Sequence, residues 1–266
     1  MCVILLTQQI DEAAIFIAVT GITDVTQKNA VIQLVANLKA HGIWHKLKAV
    51  YPMVGGTATT HKFNLRNPLD TNAAFRLLFG GGWTHSATGA KGNGTNAYAD
   101  TFFLPSANLD LRSQSFSYYC YTPSSLFETL LGADKNSLPG ATTIITPNYA
   151  GGPGNNYSCI NRGSTPGHTT SVMNAFHVVN TVPAGIANVT VKTYENGVSN
   201  YSDVYTPSAN VDASIYINGR NTGGVVSQPT AAECRFVTIG DGLTDIEVAN
   251  LYSAVQSFNT TLGRNV

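Results

Sequence analysis

Residues 189–197 read VTVKTYENG, and residues 214–219 read SIYING. In each, an alternation of period two runs into Asn-Gly, at Asn196-Gly197 and Asn218-Gly219. Both residue types tolerate the positive φ that a two-residue hairpin turn demands, so the pattern predicts two β-hairpins. Working outward, further short apolar or alternating runs lie at Phe75–Phe79, Phe116–Tyr121, Ala141–Ile145, Phe176–Val179 and Cys234–Ile239. Clusters such as Gly80–Gly82, Gly151–Gly154 and Gly223-Gly224 separate them. Seven or more short strands at this spacing predict an antiparallel sandwich or jelly roll. The two Asn-Gly pairs are shared turn chemistry, without an internal repeat behind them.

The ends of the chain read differently. Thr23 is placed as an N-cap, and Val31, Leu34, Val35 and Leu38 follow at helical spacing as one apolar stripe. Ile43, Trp44, Leu47, Val50 and Tyr51 form a second short stripe, stopped by Pro52 and Gly55-Gly56. Residues 1–56 are therefore expected to be a mostly helical segment that packs on the sandwich formed by residues 57–266. A last helix, 244–262, opens on the capping box Thr244-Asp245-Ile246-Glu247. It carries Leu251, Val255, Phe258 and Leu262 inward and closes at Gly263.

Composition narrows the function. The 266 residues hold 15 basic and 15 acidic side chains, and only 11% are charged, against roughly 25% in ordinary domains. A neutral chain lacks the Lys and Arg surplus that phosphate neutralisation needs, so no nucleic-acid partner is expected. Gly, Asn, Thr, Ser and Tyr replace the charges, which suits turns and a neutral hydrogen-bonding surface. No run approaches the roughly 20 apolar residues of a membrane span, and the N-terminus lacks the basic start of a signal peptide. The four cysteines (Cys2, Cys120, Cys159, Cys234) are widely spaced, with no CxxC; Cys120 and Cys234 read as small buried thiols of a protein made in a reducing cytoplasm. Charge is segregated: residues 1–27 carry −3, residues 28–76 carry +6, and the rest carries −3. The basic stretch reads as a solvated helix face with strand-edge lysines, the alternative being a dock for an acidic partner.

The run Ser214–Gly219 resembles the hairpin strand of concanavalin A-like, laminin-G-like jelly rolls. Three longer passages, Leu47–Leu65, Trp83–Asp100 and Thr238–Val266, resemble a family of phage virion and appendage proteins carrying such a domain, common in phages of Bacteroidetes. With the helix over 22–44, the resemblance covers nearly everything after residue 20. It implies a mainly β fold: a concanavalin A-like jelly-roll sandwich with a helical N-terminal segment and a C-terminal helix. It also implies display on the virion surface as a fibre, spike or appendage component, with host-surface glycan or receptor as one partner. Residues 1–20 match nothing in that family and are read as an anchor to other virion proteins.

Candidate sites follow from side-chain chemistry. Sugar rings stack on aromatic faces, while neutral groups bond their hydroxyls. Two loops have that inventory: Trp83, His85, Asn93, Asn96 and Tyr98 in one, and Tyr149, Asn155, Asn156 and Tyr157 in the other. A plain architectural role as Gly/Asn loops at the sandwich ends competes for both. A shallow site of this kind binds weakly per subunit, so a homo-oligomer is expected.

The enzyme reading, a polysaccharide-cleaving activity on the same fold, needs two carboxylates roughly 5–10 Å apart. No E-x-D-x-x-E string is present, and only Glu128, Glu195 and Glu233 remain to converge. A third reading is a structural capsid or tail component without a ligand. Gly92–Ala97 matches G-x-G-x-x-A in form but is followed by a strand pattern at Tyr98–Phe103, so it reads as turn chemistry. His41 and His45, four apart around Gly42, read as solvated histidines, and His177 as a strand histidine satisfied in place. The expectation is a non-enzymatic protein with no cofactor, no metal and no catalytic residue.

Overall fold

The computed structural model describes residues 11–121, 128–134, 141–147, 155–162, 168–169 and 174–265. It opens with helices α1 (Glu12–Thr20) and α2 (Val25–Ala40), then strand β1 (Leu47–Tyr51) and the short helix α3 (Ala58–His61). Next come β2 (Leu78–Gly80), β3 (Trp83–Ser86), β4 (Gly89–Gly92), β5 (Tyr98–Asp100) and α4 (Pro105–Asn108). β6 (Gln114–Tyr121), β7 (Leu131–Asp134), β8 (Thr142–Ile145), β9 (Asn155–Asn156) and β10 (His168–Thr169) follow. The last stretch holds β11 (Phe176–Ala184), β12 (Asn188–Glu195), β13 (Val198–Tyr205), β14 (Tyr216–Ile217), β15 (Arg220–Thr222), β16 (Val225–Ser227), β17 (Glu233–Gly240) and α5 (Asp245–Thr261).

Two sheets face each other. The larger runs β13-β12-β11-β6-β17-β4-β3, with β1 also on β17; the smaller runs β16-β15-β7-β14-β5-β2, with β8 also on β7. Phe116, Tyr118 and Cys120 on β6 and Val237 and Ile239 on β17 point into one core with Leu131, Ile145 and Ile217 of the smaller sheet. Tyr119, Phe176, Tyr194 and Phe236 leave the other face and meet Leu34 and Leu38 of α2 and Leu251, Val255 and Phe258 of α5. The middle of the large sheet is thus buried on both faces, between a second sheet and two amphipathic helices. This is the jelly-roll sandwich with terminal helices that the sequence predicts.

Local chemistry explains the ends. Thr244 Oγ1 accepts the Glu247 N–H at 3.2 Å while Glu247 Oε2 accepts the Thr244 N–H at 2.8 Å, completing the capping box. At α2 the cap is Asp24, whose Oδ1 accepts the Gln27 N–H at 2.8 Å, one residue beyond the Thr23 expected. The larger correction concerns the stripe over residues 43–51. Trp44–Lys46 is a single 3-10 turn, and Leu47–Tyr51 is a strand paired to β17 from Leu47↔Gly240 to Tyr51↔Val237. Leu47 and Val50 face the helices, whereas Ala49 and Tyr51 face the second sheet. A strand covered on both faces loses its alternation, so period alone could not tell it from a helix.

The two Asn-Gly turns part company. Asn196 (φ 49°) and Gly197 (φ 79°) join β12 to β13 as a true hairpin. Asn218 is also left-handed (φ 60°), but β14 and β15 are not partners of each other: β14 pairs antiparallel and β15 parallel with β7. Asn218 is held there by its side chain. The Tyr118 hydroxyl of the large sheet donates to its Oδ1 at 2.7 Å, and its Nδ2 donates to the Ala232 carbonyl at 2.7 Å. In the run Phe75–Phe79 only the end is strand, because Phe75 itself takes a left-handed conformation (φ 59°).

The charge segregation resolves into pairing. Lys39 meets Glu12, Lys46 meets Glu247, Lys48 meets Asp241, and Lys62 and Arg76 share Asp70, so five of the seven bases in 28–76 have carboxylate partners. Cys120, Cys159 and Cys234 are buried free thiols; Cys120 and Cys234 face each other across β6 and β17, and Cys2 lies outside the described residues. Among the described residues no helix is long and apolar enough to cross a membrane.

Candidate functional site

One edge of the sandwich gathers aromatic side chains. β3 is the outer strand of the large sheet and β2 the outer strand of the small one; Gly81-Gly82 connects them. The connection is tight: a Cβ on Gly80 would lie 2.7 Å from the Tyr98 ring, and one on Gly81 (φ +73°) would strike the Asn96 carbonyl. On β3 the alternation puts Thr84 and Ser86 in solvent and turns Trp83 and His85, both half-buried, toward Phe79. Phe79 meets Trp83 edge-on at 5.2 Å and His85 at 4.6 Å, while Trp83 and His85 stack at 6.0 Å. Beside them the Tyr98 and Tyr216 rings stack at 4.6 Å, and Leu78 is 50% exposed.

Hydrogen bonds fix this edge. The Trp83 indole N–H donates to the Gly80 carbonyl at 3.0 Å and the Tyr98 carbonyl at 3.2 Å, so the ring is anchored through its polar end with part of its body exposed. Asn93 Oδ1 accepts the backbone N–H groups of Thr95, Asn96 and Ala97, and its amide donates to Asn96 Oδ1 at 2.8 Å. Asn96 Oδ1 also accepts from Gly82 N at 3.2 Å. The G-x-G-x-x-A match is thus an asparagine-centred turn leading into β5, as expected. Both asparagine side chains are exposed and use their oxygens to hold the loop against the glycine connection.

His85 is tied inward. Its Nδ1 lies 2.9 Å from Nδ1 of His61, which is buried at the end of α3. Burial, aided by His85 and Arg264, pulls the His61 pKa down to about 3, and burial lowers that of His85 as well. Both rings are neutral at pH 7. His61 Nε2 is buried without a hydrogen-bond partner, which favours the tautomer with the His61 proton on Nδ1, donating to His85, because a bare lone pair is cheaper to bury than an orphan N–H.

Five of the nine residues singled out from sequence therefore come together: Trp83, His85, Asn93, Asn96 and Tyr98. Of the second loop, Tyr149 and Gly151–Gly154 lie outside the described residues. Asn155 and Asn156 form β9, paired with His168 and Thr169, and Tyr157 donates its backbone N–H to the Thr146 carbonyl at 2.8 Å. Sequence reasoning did not include Phe79, Tyr216 or His61 in the site. Tyr216 sits in the alternation of SIYING, which marks a strand but not its neighbour; His61 arrives from a separate segment and carried no signal.

The carboxylates are all engaged. Glu233 pairs with Arg235 at 3.0 Å, Glu128 accepts from the Thr230 hydroxyl at 2.6 Å, and Glu195 lies 3.8 Å from His177. Glu195 and Glu233 sit on β12 and β17, three strand spacings or roughly 14 Å apart across the sheet, and the register sets Glu195 level with Val237, so they are offset along the strands as well. Among the described residues no group of three or more His, Cys, Asp or Glu is arranged to hold a metal ion.

No protein-family model and no curated protein matches the chain. Solved structures share its fold. Domain 4 of AbnA, a GH43 extracellular arabinanase from Geobacillus stearothermophilus solved with arabinotriose, superposes at TM-score 0.50 and 18% identity, over 77% of this chain and 98% of that one. A mutant of Trypanosoma rangeli sialidase displaying trans-sialidase activity superposes at TM-score 0.53 and 11% identity over 84% of this chain, which spans 39% of the sialidase. At these identities the likeness is one of fold, a β-sandwich of jelly-roll type.

Proposed function

We propose that this chain is a non-enzymatic phage virion surface protein, a fibre, spike or appendage component whose jelly roll attaches to host-surface glycan or receptor. The observation that carries the reading is the edge formed by Phe79, Trp83, His85 and Tyr98, where half-buried rings, Trp83 and His85 held by their polar atoms and Phe79 and Tyr98 by ring contacts, leave apolar surface open beside neutral amides. That is the inventory a sugar ring requires. The arabinanase domain that shares this fold was solved with arabinotriose, which supports glycan as the ligand class. Five acids are held in the state opposite to that of a proton donor. Glu12, Asp70, Asp203, Asp245 and Glu247 are all held below their ordinary pKa: Lys62, Arg162 and Lys192 act on the three aspartates, while at Glu12 and Glu247 burial pulls upward and is outweighed by hydrogen bonds acting together, from Lys39 and Trp44 at Glu12 and from Lys46 and Thr244 at Glu247. A glycosidase acid needs the opposite shift.

The N-terminal segment joins other virion proteins in this reading; α1 is apolar nearly all round and leaves Ile15 and Val19 each 45% exposed beside Leu69 at 58%. Attachment works through a homo-oligomer, since shallow sites gain strength only in number. The test is a glycan array read for binding, with chromatography of the same glycans for products. Binding without shorter sugars is expected. Release of shorter sugars would replace the reading with a glycanase, and a flat array with a purely structural component.

A further inference from the structure

We infer that a cavity of about 250 Å³ beside β1, lined by His45, Lys48, Asn64, Arg66, Asn67 and Phe75, is a binding site for a single small carboxylate-bearing ligand the size of a hexuronate sugar. It stands apart from the aromatic edge and does not depend on it.

Arg66 lines this cavity. Its guanidinium stacks on the Trp44 ring at 4.3 Å and donates through Nε to the Leu47 carbonyl at 3.0 Å, which fixes its plane. Its two terminal nitrogens carry no hydrogen bond among the described residues. Glu12, the carboxylate whose field reaches Arg66, is already held by Lys39 at 2.5 Å and by the Trp44 indole at 3.2 Å. A preorganised guanidinium with its outer edge unused is the group best suited to a planar carboxylate, which it grips with two parallel bonds.

The surroundings select further. Asn64 is fully used in building the floor: its oxygen accepts from Val50 N at 2.9 Å and Arg66 N at 3.0 Å, and its amide donates to the Lys48 and Ala74 carbonyls. Asn67 is exposed, and its side-chain amide has no hydrogen bond among the described residues, so it can meet a hydroxyl. Lys48 reaches the cavity but is paired to Asp241 at 2.8 Å. Two cations against one carboxylate leave one positive charge, which suits a monoanion better than a phosphate dianion. The volume lies below the roughly 300–1,000 Å³ of drug-sized sites, so it admits one unit of a chain and not several.

Trp44, whose ring carries the Arg66 guanidinium, and Trp83 are the only tryptophans, so two indole N–H signals in a nitrogen–proton correlation spectrum report Arg66 and the aromatic edge separately. The full chain is titrated with glucuronate, with glucose and with inorganic phosphate. The expected result is a saturable shift of the Trp44 signal with glucuronate, none with glucose, and little movement of Trp83. Arg66→Lys keeps the charge and the fold but loses the fork, and weakens glucuronate roughly tenfold; circular dichroism of the variant checks its fold. The inference is overturned by a Trp44 signal that does not respond to glucuronate into the millimolar range. Equal binding by Arg66→Lys, or tighter binding of phosphate than of glucuronate, overturns it as well.

Discussion

Replacing Arg264 with alanine removes the side chain that fastens the C-terminal end of the chain to the sandwich. Arg264 is only 2% exposed, and among the described residues no carboxylate pairs with it. Its five N–H donors face six acceptors instead: Asn259 Oδ1 at 2.9 Å, the Met53 and Pro52 carbonyls at 2.7 Å each, and the Arg235, Thr88 and Ala87 carbonyls at 3.1, 3.2 and 3.5 Å. Arg235 in turn donates to the Arg264 carbonyl. Burial, with the nearby Arg235, draws its pKa down to about 9, so it stays charged at pH 7. Truncation leaves three carbonyls of buried residues, those of Pro52, Met53 and Arg235, without that donor, at about 1 kcal/mol or more each. Loss of the guanidinium from the Phe258 face, 5.3 Å away, adds about 1 kcal/mol. Relief of the desolvated charge offsets part of this, for a net loss of about 3 kcal/mol. Arg264→Lys keeps the charge but concentrates its donors on one nitrogen, and loses about half as much. Equilibrium urea unfolding measures both, and a thermal scan should place the alanine variant roughly 10 °C lower. An alanine variant within about 1 kcal/mol of wild type would refute the latch, as would a lysine variant no better than alanine.

His61 sets an acid limit. Its folded pKa of about 3 lies below the unfolded value of 6.5, so the unfolded chain binds the extra proton and stability falls as pH drops from 6.5 toward 3. At pH 5 the deficit is about 2 kcal/mol, and His61→Gln should flatten the pH dependence of urea midpoints between 6.5 and 4.5; an unchanged slope would contradict the assignment. Asn218→Leu strands the buried Tyr118 hydroxyl and strains a left-handed residue, and should cost about 3 kcal/mol in the same assay, with a cost under about 1 kcal/mol counting against the inter-sheet tie. Burial pushes the Cys159 and Cys234 thiols up to about 12, and Cys120 higher still, so these three should resist a thiol reagent until urea unfolds the chain. Rapid labelling of any of them in the native protein would count against that packing.

What the sequence made legible follows from how local each signal is. The capping box at Thr244, the stripe Val31–Leu38 and the hairpin at Asn196-Gly197 are decided within a few residues, and the structure has them. β1 was hidden because it is covered on both faces, which erases the polar half of the alternation. Asn218-Gly219 has the right turn chemistry, but what pairs with what is settled by Tyr118 a hundred residues away. The site divides in the same way. Trp83, His85, Asn93, Asn96 and Tyr98 lie close in sequence and were found together, whereas Phe79, Tyr216 and His61 join them only through the meeting of two sheet edges. The charge blocks were visible as composition, yet their meaning lay in the pairing of Lys46 with Glu247 and Lys48 with Asp241, across the whole length of the chain.

Titration of labelled full-length protein with host-envelope polysaccharide, following the two indole N–H signals, probes recognition where it is placed. The Trp83 signal should shift and saturate while the polysaccharide is recovered uncut. Saturable binding that leaves the Trp83 signal and its β3 neighbours unmoved would contradict the account, because the contact would then lie elsewhere on the molecule.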